Sequence, residues 1–137
     1  MTNKLKPIRP TLREKKRYVV FKIVSDNPKD IFEYKNIEKE ISNQILSFLG
    51  TLYTGKAGIL ILKNQYLENY GIIRVNNLFV DELKSSLMHV QKIDKKDITI
   101  DVIGVSGILK KAREKFLPKE IGKKLSLVKK QNNNKVK

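Results

Sequence analysis

The sequence contains no cysteine, so neither a disulfide framework nor a thiolate metal site is available to it. Histidine is almost as scarce: His89 stands alone, which excludes a multi-histidine metal site and leaves no Ser/His/Asp arrangement to read. No apolar run approaches the roughly 20 residues that span a bilayer. The N-terminal stretch Met1-Thr2-Asn3-Lys4-Leu5-Lys6 also lacks a signal-peptide core. These absences predict a soluble, intracellular, cytoplasmic protein with no membrane partner. Acidic residues are outnumbered, 14 against 29 lysines and arginines, for a formal net charge of +15.

That charge is unevenly spread. Residues 1–17 hold seven Lys/Arg and one Glu, and residues 118–137 hold seven Lys and one Glu. Between them, residues 18–117 carry fifteen basic and twelve acidic side chains. Twelve of the fifteen net charges therefore lie on the two arms, a pattern that fits a compact domain with basic tails for a polyanion. Tails that only maintain solubility are the alternative. Nucleic acid is the favoured partner. At 137 residues the chain is one domain's worth. We expect a basic extended arm over residues 1–15, where Pro7 and Pro10 fix the backbone. A folded domain over 16–117 follows, then a basic flexible tail over 118–137 with little to bury.

Within the domain the hydrophobic period changes repeatedly. Arg17 to Val24 alternates as a strand, with Val19, Phe21 and Ile23 on one face and Tyr18, Val20 and Lys22 on the other. Ile37, Ile41, Ile45, Phe48 and Leu49 mark a helix stripe, entered through an Asn27-Pro28 or Asp30 cap and closed by Gly50. Residues 58–63 read as an apolar strand, 64–69 as a hairpin loop, and 70–76 as a third strand. That strand shows Ile73 and Val75 on one side and Tyr70, Ile72 and Arg74 on the other. A helix over about 78–92 and a strand over 98–105 complete the order β-α-β-β-α-β. The order predicts an α+β, ferredoxin-like (RRM-like) sandwich: two helices on one face of a four-stranded antiparallel sheet. Ser106 then predicts a cap for an extra C-terminal helix over 107–117, ended by Pro118.

Candidate chemistry is thin. Gly50, Gly55 and Lys56 nearly spell the phosphate loop G-x-x-x-x-G-K-[ST], but Ala57 offers no hydroxyl for Mg²⁺. The loop also follows a helix instead of preceding one, so a helix C-terminus, which repels anions, faces it. Asp81 and Glu82 fall in the first turn of a helix, where carboxylates offset the dipole. Asp94, Asp97 and Asp101 flank a lysine-rich turn and read as solvated charge, not as a Mg²⁺ site. The turn Gly104-Val105-Ser106-Gly107 is either a phosphate-binding N–H cluster or a plain cap. The helix-free sheet face would show Tyr18, Lys22, Tyr70, Ile72 and Arg74. The third strand lacks the aromatics on which RNA recognition motifs stack bases. Ile72 and the apolar second strand point to a protein partner or to the third helix lying there.

Four blocks carry a family likeness: Phe48-Leu49-Gly50-Thr51-Leu52 with Lys56-Ala57-Gly58-Ile59, then Gly71-Ile72-Ile73-Arg74-Val75, then Val80-Asp81-Glu82-Leu83-Lys84-Ser85-Ser86-Leu87, and Gly104-Val105-Ser106-Gly107-Ile108-Leu109-Lys110-Lys111-Ala112. In this order and spacing the chain resembles the archaeal ribonuclease P protein component 2 family, from about Pro10 to Leu117. The asparagine-rich tail falls outside the likeness, and Tyr53-Thr54-Gly55 is a variable part of the loop within it. The resemblance implies a ferredoxin-like subunit of the ribonucleoprotein that removes the 5′ leader of precursor tRNA. In that family the RNA subunit carries out the hydrolysis with Mg²⁺, so this chain would bind no cofactor and supply no catalytic residue. It would bind ribonuclease P RNA, meet precursor tRNA indirectly, pair with ribonuclease P protein component 3, and self-associate in a dimer of heterodimers.

The RNA contacts expected on this basis are Arg13, Lys15, Lys16, Arg17, Lys56, Arg74, Lys110, Lys111, Arg113 and Lys115. The expected partner interface is Tyr18, Leu60, Leu62, Ile72 and Phe79. Another RNA-binding ribonucleoprotein module, such as a ribosome-associated protein, is the alternative. A small-molecule-binding ferredoxin-like regulator fits the basic arms poorly.

Overall fold

The computed structural model describes residues 15–27 and 29–125. Along the chain run β1 (Lys16–Ser25), α1 (Tyr34–Ala57), β2 (Leu60–Ile61), β3 (Tyr70–Asn76), α2 (Val80–Met88), β4 (Lys92–Ile93), β5 (Lys96–Ser106) and α3 (Leu109–Phe116). A further helical segment, residues 119–125, ends the described part. The strands form one α+β sheet in the order β2-β3-β1-β5-β4, with every pair antiparallel. Most of the N-terminal arm, Pro28 and residues 126–137 lie outside the described residues, so the Asn27-Pro28 cap does too.

Strand alternation sorts the side chains into two cores. On one face Val19, Phe21, Ile23, Ile73, Val75, Ile98 and Ile100 meet Ile37, Ile41 and Ile45 of α1 and Leu83 and Leu87 of α2. Each large side chain buried in this way contributes roughly 1.5–3 kcal/mol. On the other face Val20 and Ile72 lie beneath Ala112, Leu117, Ile121 and Leu125. The chain therefore covers its second sheet face itself, with α3 and residues 119–125.

A β-bulge makes that covering possible. Val20 pairs with Gly104 but Phe21 pairs with Val102, leaving Ile103 as the extra residue. Val102 then packs toward the α1–α2 core and Ile103 toward the second one. Gly104 supplies the clearance: a Cβ there would fall 2.2 Å from the Phe116 ring.

Several expectations need correction. The sheet has five strands, not four, because Asp94 and Lys95 adopt positive φ (54° and 66°) and close a two-residue hairpin between β4 and β5. The second strand is short, Leu60–Ile61, with one further bond from the Leu62 N–H to the Ile72 carbonyl at 3.0 Å. Gly50 does not end the first helix. With φ 77° and ψ 170°, a region open almost only to glycine, it kinks the helix, which then continues to Ala57. Phe48, expected in the stripe, is exposed. Asp30 does not cap α1, whose N-cap position is Glu33. The second helix is shorter than expected, being preceded by a 3₁₀ turn at Asn77–Phe79. Ser106 does not cap α3; its hydroxyl accepts from the Ile108 N–H at 3.2 Å, one residue ahead of the helix. Residues 119–125, assigned to the tail by composition, are helical, with Ile121 and Leu125 buried.

Candidate nucleic-acid interface

Strand register gathers much of the candidate site at one end of the sheet. Lys16 pairs with Asn76, and Tyr18 pairs with Arg74 on one side and Ser106 on the other. The start of β1, the ends of β3 and β5 and the departure of α3 are therefore neighbours. The last turn of α1 joins them, because the Asn76 Nδ2 donates to the Lys56 carbonyl at 2.6 Å. The Lys16 ammonium donates to Asn76 Oδ1 beside Gly58, which adopts the left-handed conformation (φ 58°, ψ 41°).

The basic residues expected to meet RNA fall into three groups. Lys15, Lys16, Arg17 and Lys56 cluster at this end of the sheet. The Arg17 Nη1 donates to the Lys16 carbonyl at 3.2 Å and lies close to Gly107. The Lys56 ammonium sits 5.7 Å from the centre of the Tyr53 ring. Lys110, Lys111 and Lys115 are exposed on α3, with the Lys115 ammonium 5.5 Å from the Phe116 ring centre. Arg74 and Arg113 are half-buried, and the Arg74 Nε and Arg113 Nη1 are buried without a hydrogen-bond partner. Arg13 lies outside the described residues.

The ion pairs lie elsewhere. Lys92–Asp97 (3.8 Å), Lys96–Asp30 (3.0 Å) and Lys124–Glu68 (3.2 Å) are the ion pairs among the described residues. All three belong to the opposite end of the sheet. Lys15, Lys16, Arg17, Lys56, Lys110 and Lys111 thus have no described carboxylate within bridging distance. Cations without a carboxylate partner can displace counterions from a phosphate backbone.

The opposite end is closed by uncharged hydrogen bonds as well. Asn69 accepts from the Phe32 N–H at 2.9 Å and donates to the Asp30 carbonyl at 2.6 Å. The Tyr66 hydroxyl donates to the Phe32 carbonyl at 2.6 Å. Burial pushes the Tyr66 hydroxyl well above the usual tyrosine range, and burial followed by nearby Glu38 raises Tyr34.

The expected partner surface is divided. Ile72 is completely buried under the chain's own C-terminal helices, so it is not available to a partner. Tyr18 and Leu62 are half-buried beneath the same cover. Leu60 remains exposed, while Phe79 is half-buried with its ring 6.5 Å from that of Tyr53. The four-residue turn before α3 is not a glycine cradle, because Gly104, Val105 and Ser106 belong to β5 and pair with β1. His89 is exposed, with Nδ1 2.6 Å from the Ser85 carbonyl and its ring 5.4 Å from Phe48. Among the described residues no group of three His, Cys, Asp or Glu could hold a metal ion.

Two features were missed from the sequence. Leu117, Ile121 and Leu125 recur every four residues, a helical signal that the lysine-rich composition obscured. The role of Asn76 had no sequence signal, because it depends on a contact 20 residues away.

The fold and the cluster of unpaired cations define a small basic α+β domain suited to a polyanionic partner. The chain belongs to the Rpp14/Pop5 family, whose model matches residues 17–117. Ribonuclease P protein component 2 of Methanococcus maripaludis (strain C6) is 39% identical to it over 113 residues, covering 82% of this chain and 83% of that protein. The protein of the same name from Pyrococcus furiosus is 38% identical over 117 residues, covering 85% and 95%. A chain in the cryo-EM structure of yeast ribonuclease MRP has a similar fold, with a TM-score of 0.60 at 15% identity over 90% of this chain and 95% of that one.

Proposed function

We propose that this chain is a protein subunit of ribonuclease P that binds and supports the catalytic RNA during 5′-leader removal from precursor tRNA. The observation that carries the reading is identity of 38–39% with proteins named ribonuclease P protein component 2, sustained over more than four fifths of the chain. The unpaired cations at one end of the sheet support it.

In this reading the chain supplies no catalytic group. Hydrolysis belongs to the RNA and its Mg²⁺. Lys15, Lys16, Arg17, Lys56, Arg74, Lys110, Lys111, Arg113 and Lys115, with Arg13 from the arm, neutralise phosphates and lower the Mg²⁺ needed for a compact RNA. The exposed apolar side chains of Leu52, Leu60, Leu78 and Met88 offer surface to protein component 3 or to a second copy of this chain. We read the sheet as ferredoxin-like, β2-β3-β1-β5, extended at one edge by β4.

The test is reconstitution. Cleavage of precursor tRNA by ribonuclease P RNA is measured over a Mg²⁺ series with and without the full chain. The expected result is faster cleavage, or cleavage at lower Mg²⁺, when the chain is present. Unchanged rates at every Mg²⁺ concentration overturn the proposal. RNA binding without such a change would assign the chain to another ribonucleoprotein.

A further inference from the structure

The segment from Gly50 to Gly58 nearly spells a phosphate loop, yet it is the shorter, C-terminal part of a kinked helix with its Gly58 cap. Its contacts with the rest of the molecule are few: the Tyr53 ring lies 6.5 Å from that of Phe79. Thr51, Leu52, Tyr53, Gly55 and Lys56 are exposed, and Ala57 is its buried anchor. The Gly50 kink interrupts the helical dihedrals that would otherwise carry rigidity from the first half into this one. Lys56, in the last turn, therefore depends on whatever fixes the segment's far end.

Asn76 is placed to fix it. Its side chain is buried at the end of β3, 4% exposed, and joins two elements. The amide nitrogen donates to the Lys56 carbonyl at 2.6 Å, satisfying one of the acceptors that a helix C-terminus leaves open. The amide oxygen accepts from the Lys16 ammonium, which rests against Gly58, where a Cβ would come within 3.0 Å of it. The lysine thus sits at a helix C-terminus, where a positive charge is favoured.

We propose that Asn76 is a positioning residue for RNA binding: by holding the Lys56 carbonyl and the Lys16 ammonium together, it presents the Lys56 side chain at the basic end of the sheet. The inference rests on the proposed RNA contact through Lys56. An ordered lysine contributes its phosphate contact without first being immobilised, whereas one on an untethered helical turn must lose that freedom on binding.

The test is a double-mutant cycle on the full chain, with transcribed ribonuclease P RNA as the probe and affinity measured from 50 to 200 mM salt. In the wild-type background Lys56→Met should lower the slope of log affinity against log salt by about 1, the value for one phosphate contact. In the Asn76→Ala background the same change should lower it by a small fraction of that, because Lys56 no longer makes its contact. Equal effects of Lys56→Met in the two backgrounds overturn the inference and assign Asn76 to stability alone. Asn76→Asp is the second variant: close in shape, it keeps an acceptor for Lys16 but loses the donor to Lys56. It should reproduce the non-additivity, and an additive result there overturns the inference even if Asn76→Ala does not fold. Failure of the wild-type chain to bind the RNA in a salt-dependent way overturns the RNA reading itself, and the positioning role with it.

Discussion

The two ends of the sheet use charge in opposite ways. At the end where β3 finishes, Lys15, Lys16, Arg17 and Lys56 gather without a described carboxylate partner. At the other end Lys92, Lys96 and Lys124 are each matched by an acid. Asn69 and Tyr66 there knit the loop before α1 to the hairpin before β3. The same residue type is therefore placed differently at the two ends: matched by carboxylates at one, and without a described carboxylate partner at the other, where the proposed RNA contacts lie. Exposed ion pairs are worth no more than about 1 kcal/mol each, so the matched end is held mainly by its hydrogen bonds.

The comparison breaks if function and stability fail to separate between the ends. The largest effect expected is on RNA affinity. Replacing Lys56, Lys110 and Lys111 together by Ala should lower the salt slope of binding to ribonuclease P RNA by about 3. The melting temperature should stay within about 2 °C of wild type, as for exposed side chains generally. A slope equal to wild type would make those lysines mere solubilising charge.

Asn69→Ala attacks the other end. It removes both bonds to the 30–32 loop and places Ala at a φ of 70°. Denaturant unfolding should show a loss of roughly 2–4 kcal/mol with the RNA salt slope unchanged. A change in slope as large as that of the triple lysine variant would dissolve the distinction between the ends.

Tyr66→Phe removes a hydroxyl that donates to the Phe32 carbonyl at 2.6 Å and lies 3.2 Å from Asn69 Oδ1, and should cost about 1 kcal/mol at neutral pH. It also carries a pH signature. The folded-state ionisation of Tyr66 is raised, so its contribution is complete below the ordinary tyrosine value of 10.0 and declines as pH climbs above it. Wild-type stability should therefore fall above about pH 10, and Tyr66→Phe should fall less steeply; equal declines would rule out Tyr66 as a source. The smallest effect is expected for Lys96→Ala, which deletes the pair between an exposed ammonium and the largely covered Asp30 carboxylate and should move stability by no more than about 1 kcal/mol. A larger loss would mean that ion pairs, and not Asn69 and Tyr66, close that end.

Much of the fold was legible because it rests on local periodicity. Val19, Phe21 and Ile23 face the α1–α2 core as expected, whereas Val20 and Tyr18, on the strand's other face, pack into a second core that the alternation alone does not announce. The spacing of Ile37, Ile41 and Ile45 marks the buried stripe of α1. Illegible features depend on partners distant in sequence. A glycine such as Gly50 stops one helix and kinks another with the same local signal; here the helix continues to Ala57, where its last turn meets Asn76, a residue distant in sequence. The bulge at Ile103 cannot be seen until β1 is laid beside β5. At the candidate site, the basic character of α3 could be read directly. The gathering of Lys16 with Lys56 could not, because it comes from strand register and one buried amide.

The filling of the second sheet face by α3 and residues 119–125 has a consequence for selectivity. RNA recognition motifs read bases by stacking them on an open sheet, but here Val20 and Ile72 are sealed beneath Leu117, Ile121 and Leu125. Among the described residues this sheet face offers no open aromatic tray on which to tell one nucleobase from another. Under the proposed function the lysines and arginines would answer instead to the spacing and trajectory of phosphates. In the proposed assembly, exchanging bases while preserving the shape of the RNA beneath it should go nearly unnoticed, and bending that same backbone out of line should not.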